Sequence, residues 1–281
     1  MTPPQAAGAA RRGARQGAGM EIVVCIKQVP DTEAPIRIRP DGSGIDETGV
    51  NLVMNYYDEH ATEAALQLRE RFGGTVTLVS VGPERAREAL RQGLAMGADE
   101  AMLVSDPRLA GADHLQVARV LAAVVAPRRP DLVICGKLST DDNAAIVGPA
   151  LAALLDLPQA TAVSRLEVAE DATHALVHRE LEGAVEVLEL PLPALLTVER
   201  NLNEPRYPSL PGIMKAKRKE IPVLTLEAAG IDPEALGAPG AMLERLAPPP
   251  ARPPGRRVDG QDPDAAVEAI VRYLAETAKV L

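Results

Sequence analysis

Cys135-Gly136-Lys137-Leu138-Ser139-Thr140-Asp141-Asp142-Asn143, running on through Ala144, Ala145, Ile146 and Val147 to Gly148-Pro149, is the stretch best equipped for chemistry. It joins an apolar run, Asp131 to Cys135, that reads as a strand to a run, Asn143 to Leu155, that reads as a helix. In open α/β sheets ligands sit at such places, outside the carboxyl ends of the strands. Gly136 lets a backbone come close, while Lys137, the hydroxyls of Ser139 and Thr140 and free helix N–H groups favour a phosphate. A helix dipole adds only about 0.3–1 kcal/mol, so Lys137 has to matter. Asp141 and Asp142 would repel a phosphate placed on them and suit capping or ribose hydroxyls better. The run contains neither a Walker-type loop nor GxGxxG, so phosphate hydrolysis has no support. Taken alone, the motif reads equally as an ordinary capped helix start.

A second candidate is Met54-Asn55-Tyr56-Tyr57-Asp58, ahead of the first helix. Asn55 or Asp58 could simply cap that helix. Both segments should follow strands of one sheet edge, so they could also line one cleft. His60, His114, His174 and His178 have no metal-like spacing, and the carboxylates show no pairing, so no catalytic constellation is expected. Glu180 reads as a solvent-facing strand residue. Cys25 and Cys135 each sit in an apolar run and read as inert core thiols. Two cysteines this far apart make neither a disulfide framework nor a zinc site.

The third candidate runs from Leu202 to Lys219. Pro205, Pro208 and Pro211 predict an extended, stiff path with little entropy left to lose. Leu210, between Ser209 and Pro211, should be exposed, and Lys215, Lys217, Arg218 and Lys219 form a basic cluster on an acidic protein. A plain basic loop is one reading. A rigid device offering one apolar residue beside charges is the other.

These residues need a frame. The 281 residues are 46% hydrophobic and 25% charged, enough for one large α/β domain with appendages. The formal charge of −9, no Trp and one Phe argue against nucleic acid as the main partner. No apolar run is long enough to span a membrane, and a cytoplasmic location is expected. Residues 1–19 are mostly Ala, Gly, Arg and Pro, contain no acids, and read as a disordered extension.

From Glu21 to Leu155 strand and helix alternate. Strands are expected at Glu21–Val29, Thr75–Val81, Glu100–Ser105 and Asp131–Cys135. Helices are expected at Tyr56–Phe72, after Pro83, at Asp113–Ala126 (Leu115, Ala118, Leu121, Ala122 and Val125 inward) and at Asn143–Leu155. A short hairpin is expected around Asp41-Gly42. Runs buried on both faces predict a doubly wound, mostly parallel sheet. Thr161–Val168, Ala175–Glu182 and Val185–Leu190 alternate as antiparallel strands do. The expected division is an α/β domain over 20–235 with a loop at about 199–219, a Pro-rich linker at 236–258 and a helix within 259–281 bearing Val267, Ile270, Val271 and Leu274 on one face.

IVVCIKQVPDT, GLAMGADEAMLVSD, ICGKLSTDDNAAIVGP and above all LNEPRYPSLPGIMKAKRK resemble the β subunits of electron-transfer flavoproteins. The likeness covers about Met20 to Asp232. It implies a Rossmann-like fold of the adenine nucleotide α hydrolase type, and a non-catalytic carrier subunit paired with an α subunit that holds most of an FAD site. It implies AMP in this chain's own cleft, or a second FAD in electron-bifurcating members. Carried over, the nucleotide site is Cys25, Asn55, Tyr56, Tyr57, Asp58, Val81 and the run Gly136 to Val147. Glu180 would lie near the flavin. Leu210 would anchor the docking loop on an acyl-CoA-type dehydrogenase, with Arg206, Tyr207, Pro211, Ile213, Met214, Lys215 and Arg218 around it. Electrons would pass on to a quinone reductase or another acceptor. The family often has Gln at Leu138 and polar residues at Ala144, Ala145 and Ile146, while the first two stretches look closer to the bifurcating branch. Two other functions remain open from the residues: an ATP-using enzyme of the α hydrolase type, for which Val29-Pro30-Asp31 supplies no pyrophosphate loop, and a cofactor-free assembly scaffold.

Overall fold

Met20–Cys25 forms β1, the strand on which the sheet turns, and its apolar residues are buried on both faces. The computed structural model describes residues 19–251, 255 and 257–281. Apart from Gly19, the expected N-terminal extension lies outside the described residues, as do 252–254 and 256 of the expected linker. The chain forms two units, one ending at Arg245 and one spanning Leu246–Leu281.

After β1 come β2 (Gln28–Pro30), β3 (Arg37–Ile38), β4 (Ile45–Asp46) and β5 (Leu52–Met54). They pair outside the main sheet, β2 with β5 and β3 with β4, and Gly42 turns the small hairpin at φ 73°. Strand and helix then alternate: α1 (Tyr56–Phe72), β6 (Gly74–Val81), α2 (Arg87–Met96), β7 (Glu100–Val104), α3 (His114–Val125), β8 (Leu132–Gly136) and α4 (Val147–Leu154). Next are β9 (Gln159–Val168), β10 (His174–Leu181), β11 (Ala184–Pro191) and β12 (Ala194–Val198), followed by α5 (Leu210–Arg218), β13 (Val223–Leu224) and α6 (Pro233–Leu236). The second unit carries α7 (Pro263–Arg272) and one π-helical turn, Tyr273–Thr277. Among the described residues, no helix is long and apolar enough to cross a membrane.

The main sheet has nine strands in the order β11-β10-β9-β12-β8-β1-β6-β7-β13. The seven from β9 to β13 are parallel, and β10 and β11 extend the sheet antiparallel. Alternate residues feed two apolar layers, as the two-residue period of a strand requires. Ile22, Val24, Leu78 and Ile134 pack on the side of α1 and α2. Val23, Val79, Val133 and Leu195 pack with Val120, Leu121 and Leu151 of α3 and α4. The doubly wound fold expected from the runs is present.

The chain leaves β1 toward β6 and β7, then returns to the opposite side of β1 as β8. The strand order therefore reverses between β1 and β8, where their following segments part and leave a crevice.

Three local expectations fail. Leu115 faces solvent, and Val120 and Val124 fill α3's buried face beside Ala118, Leu121 and Val125. The helix expected from Asn143 begins only at Val147. Asp142 folds back to accept the N–H of Ala144 at 3.0 Å, and Asn143 and Ala145 take left-handed φ of 53° and 54°, so the helix cannot start there. Pro149 then sits in the first turn, where no N–H is needed. The stretch expected to be extended from Leu202 to Lys219 is so only as far as Pro208. Ser209 accepts the Gly212 N–H at 3.2 Å and Pro211 lies in the first turn, which starts α5. Lys215, Lys217 and Arg218 close it, where positive charge suits the helix end.

Candidate functional site

Asp58 is the hub of the crevice. Buried in α1's first turn, it accepts the Lys27 N–H just past β1 at 2.7 Å and the Gly136 N–H at the end of β8 at 3.1 Å. It thus ties the two strands where their paths separate. Burial penalises its charge more than the donors Lys27, Asn55 and Gly136 favour it, and the carboxyl is pushed up to about 7. Gly136 is needed for closeness, since a Cβ there would stand 2.3 Å from Asp58 Oδ1.

Asn55 and Asp58 do not cap α1 through their side chains, as the simplest reading expected. Asn55 occupies the cap position, but its amide donates to Leu138 O at 2.8 Å and accepts the Thr140 N–H at 3.1 Å. Both residues instead join α1 to the segment after β8. That segment, residues 139–146, is a strap rather than a helix start, and it roofs a cavity of about 220 Å³.

Of the expected nucleotide residues, Cys25, Asn55, Asp58 and Val81 line this cavity. From the segment after β8 so do Gly136, Lys137, Leu138, Ser139 and Asp142, and then Ala144, Ala145, Ile146 and Val147. Tyr56, Tyr57, Thr140, Asp141 and Asn143 lie in the same segments but do not line it. Tyr56 sits edge-on to Tyr57 and His60. Lys137 is held by Glu199, so it is not the free cation that the sequence suggested.

Cys25 and Cys135 are free thiols directly opposite each other on β1 and β8. They line the floor, and the Cys25 contact together with burial pushes the Cys135 thiol up. Such a thiol is unreactive.

Lining residues that sequence reasoning passed over are Ile26, Lys27, Ala112, His114, Val117 and Leu121, while Gly148, at the end of the candidate run, lines it too. Lys27 had no signal, since Glu21–Val29 reads as one strand whereas β1 ends at Cys25. His114 had none. Lys27 Nζ reaches Ser139 Oγ at 3.2 Å, Asp141 at 2.8 Å and Asp142 at 3.1 Å. His114 Nε2 lies 3.0 Å from Asp142. Burial opposes charge on Asp142, but His114, the Ala144 N–H and Lys27 outweigh it and hold the carboxyl well below the usual range.

A second constellation lies on the outer side of α1. Arg206 forks onto Glu63 (2.8 and 3.0 Å) and Glu70 (2.5 and 3.2 Å), two carboxylates two helical turns apart. Burial works against the Glu63 charge, yet Arg206 holds its carboxyl below the ordinary value. Asn203 clasps His60, its amide donating to His60 O at 3.0 Å. Arg206, expected to touch a partner, is thus engaged by α1. Beyond it Tyr207 (96% exposed), Leu210 (74%), Met214 (48%) and Ile213 (37%) form an apolar patch, with Pro211, Lys215 and Arg218 in a groove beside it. Glu180 is exposed on β10 and accepts the Asn201 amide at 2.6 Å. Among the described residues, no His, Cys, Asp and Glu cluster could hold a metal ion.

Fold and cavity together define a doubly wound α/β protein with a cleft at the switch point of its sheet, the place where open α/β sheets bind ligands. Residues 43–229 match the electron transfer flavoprotein domain. The chain is 43% identical to the electron transfer flavoprotein subunit beta of Thermoanaerobacterium thermosaccharolyticum, covering 81% of this chain and 87% of that one. It is 39% identical to the protein of the same name from Bacillus subtilis, over 93% of this chain and 100% of that one. The caffeyl-CoA reductase-Etf complex subunit CarD of Acetobacterium woodii is 38% identical, over 92% and 98% of the two chains. The chain belongs to the electron transfer flavoprotein β subunit family. Subunits of this kind pair with an α subunit, and the family carries flavin.

Proposed function

We propose that this chain is the non-catalytic β subunit of an electron carrier: it seats an adenine nucleotide in its cleft, completes an FAD site with an α subunit, and docks dehydrogenases through the patch around Leu210. The observation that carries this reading is the strap-roofed cavity at the β1/β8 switch point. Val81, Val117, Leu121 and Ile146 offer apolar walls for a base, while hydroxyl, amide and carboxylate groups crowd the mouth. At about 220 Å³ the cavity is smaller than the roughly 300–1,000 Å³ of pockets for drug-sized ligands. Either nucleotide, AMP or a second FAD, therefore requires the strap to move outward, and AMP requires the smaller movement. Glu180, on the exposed antiparallel strands, is assigned to the flavin side, and the docking patch to an acyl-CoA-type dehydrogenase, with a quinone reductase-like acceptor downstream. A cytoplasmic location goes with this reading.

Extraction of nucleotide from the assembled heterodimer tests it. One FAD and one AMP per heterodimer is the expected result. Two FAD would move the cleft to the bifurcating reading, and ATP or no nucleotide would overturn the assignment.

The division into an α/β domain over 20–235, a linker over 236–258 and a helical arm over 259–281 forms part of the same proposal. Val267, Ile270 and Val271 are exposed on α7, and a helix this short needs a surface to bury against. The α subunit is assigned as that surface. Deleting residues 259–281 is expected to weaken heterodimer formation by roughly 10-fold or more in Kd, read by sedimentation velocity. Undiminished assembly removes α7 from the interface.

A further inference from the structure

Among the described residues lining the cleft, the side chains able to carry positive charge are Lys27, Lys137 and His114. Lys137 is spent on Glu199. Lys27 lies on the strap's own carboxylates Asp141 and Asp142, and His114 lies on Asp142. An entering phosphate therefore meets Asp142 in the lining, with Asp141 next to it in the strap, and Lys27 is the ammonium group that both acids share. The phosphate cannot bind beside Asp141 and Asp142 at close range unless it takes their partners, because like charges a few ångströms apart are strongly unfavourable in a partly buried site. The strap is built to yield. It is exposed at Asp141, Asp142, Asn143, Ala145 and Ile146, and Ala145 holds a left-handed φ without being glycine, a conformation kept only where surroundings enforce it. Lys27 is anchored through its backbone to Asp58, so its ammonium group can turn without moving β1.

We propose that Lys27 and His114 form an exchangeable latch: in the empty cleft Lys27 holds Asp141 and Asp142 and His114 holds Asp142, and both pass to the phosphate of the nucleotide when it enters. This assigns two phosphate-binding residues beyond the nucleotide-site residues carried over from the family resemblance. It makes Asp142 an internal competitor of the ligand. The proposal rests on the nucleotide reading of the cleft.

The two aspects separate by sign. In the heterodimer of full-length chains stripped of nucleotide, AMP is titrated calorimetrically into wild type, Lys27→Met, His114→Gln and Asp142→Asn. Asp142→Asn keeps an oxygen for the Ala144 N–H while removing the competing charge. The latch predicts AMP binding about 10-fold or more weaker for Lys27→Met, a smaller loss for His114→Gln, and binding several-fold tighter for Asp142→Asn. Hydrogen exchange over residues 139–146 should rise in all three variants without AMP. A residue that merely props the strap gives weaker binding in Lys27→Met and Asp142→Asn alike, and that outcome overturns the latch while leaving the cleft intact. AMP binding unchanged in every variant overturns it too. A wild type that binds neither AMP nor FAD in this cleft defeats the nucleotide reading itself, and the latch with it. Should Lys27→Met fail to assemble, the sign of the Asp142→Asn change decides alone.

Discussion

Asp58→Ala is expected to lose the cleft and a large share of the protein's stability together. Two backbone N–H groups, of Lys27 and Gly136, would be left without their acceptor where the ends of β1 and β8 separate. An orphaned buried donor costs about 1–3 kcal/mol, so the pair costs about 2–6 kcal/mol. That is a large fraction of the 5–15 kcal/mol typical of a whole domain. Chemical denaturation reads the stability, and nucleotide extraction from surviving heterodimer reads the cleft. A variant within about 0.5 kcal/mol of wild type would show that water replaces the carboxylate and that Asp58 is no hub.

Its titration adds a pH signature. The folded-state pKa of Asp58, about 7, lies above the ordinary 3.8. The folded chain therefore holds this proton more tightly than the unfolded chain does. Its contribution to stability is fully present below about pH 4, is lost as pH rises to about 7, and is level beyond. Asp58→Asn cannot ionise and should lack that slope. An unchanged slope would assign it to another group.

The second large effect is expected at the docking patch. Leu210→Ala should raise KM for the partner dehydrogenase roughly 10–150-fold, because full burial of a leucine contributes about 1.5–3 kcal/mol. Flavin and nucleotide content should stay at wild-type level, since Leu210 is 74% exposed and lies outside the cleft lining. What makes the side chain effective is its base. Arg206 is clamped by Glu63 and Glu70, Asn203 by His60, and the last turn of α5 by Arg91 donating to Ala216 O at 2.6 Å. A patch already fixed in place loses little entropy on binding. Electron-transfer kinetics unchanged by the substitution would remove Leu210 from docking.

Much of this was legible beforehand, for identifiable reasons. Runs such as Ile22-Val23-Val24 and Leu132-Val133-Ile134 are apolar at every position, which suits only a strand covered on both faces. The segments flanking the cleft were legible because strand ends followed by Gly, Asn and Asp mark the places where a backbone can meet a ligand. The start of α4 was not, because Asp142 competes for the backbone and delays the helix. In α5 the prolines read as extended-chain formers, although Pro211 two residues after Ser209 is equally the mark of a helix beginning. The clamp on Arg206 was not legible because its partners, Glu63 and Glu70, are more than 130 residues away.

Local pattern thus determined which segments become strands and helices, how many layers form, and that Leu210 would stand exposed among charges. Those outcomes depend on burial periodicity and on neighbours within a few positions, which a linear text contains. Only the tertiary structure decided the charge state and company of the cleft. Lys27 meets Asp141 and Asp142 across more than 110 residues, and His114 meets Asp142 across 28. Those meetings exist because β8 returns beside β1 after the chain has gone out to β7, and Coulomb attraction acts on distance in space, not along the chain.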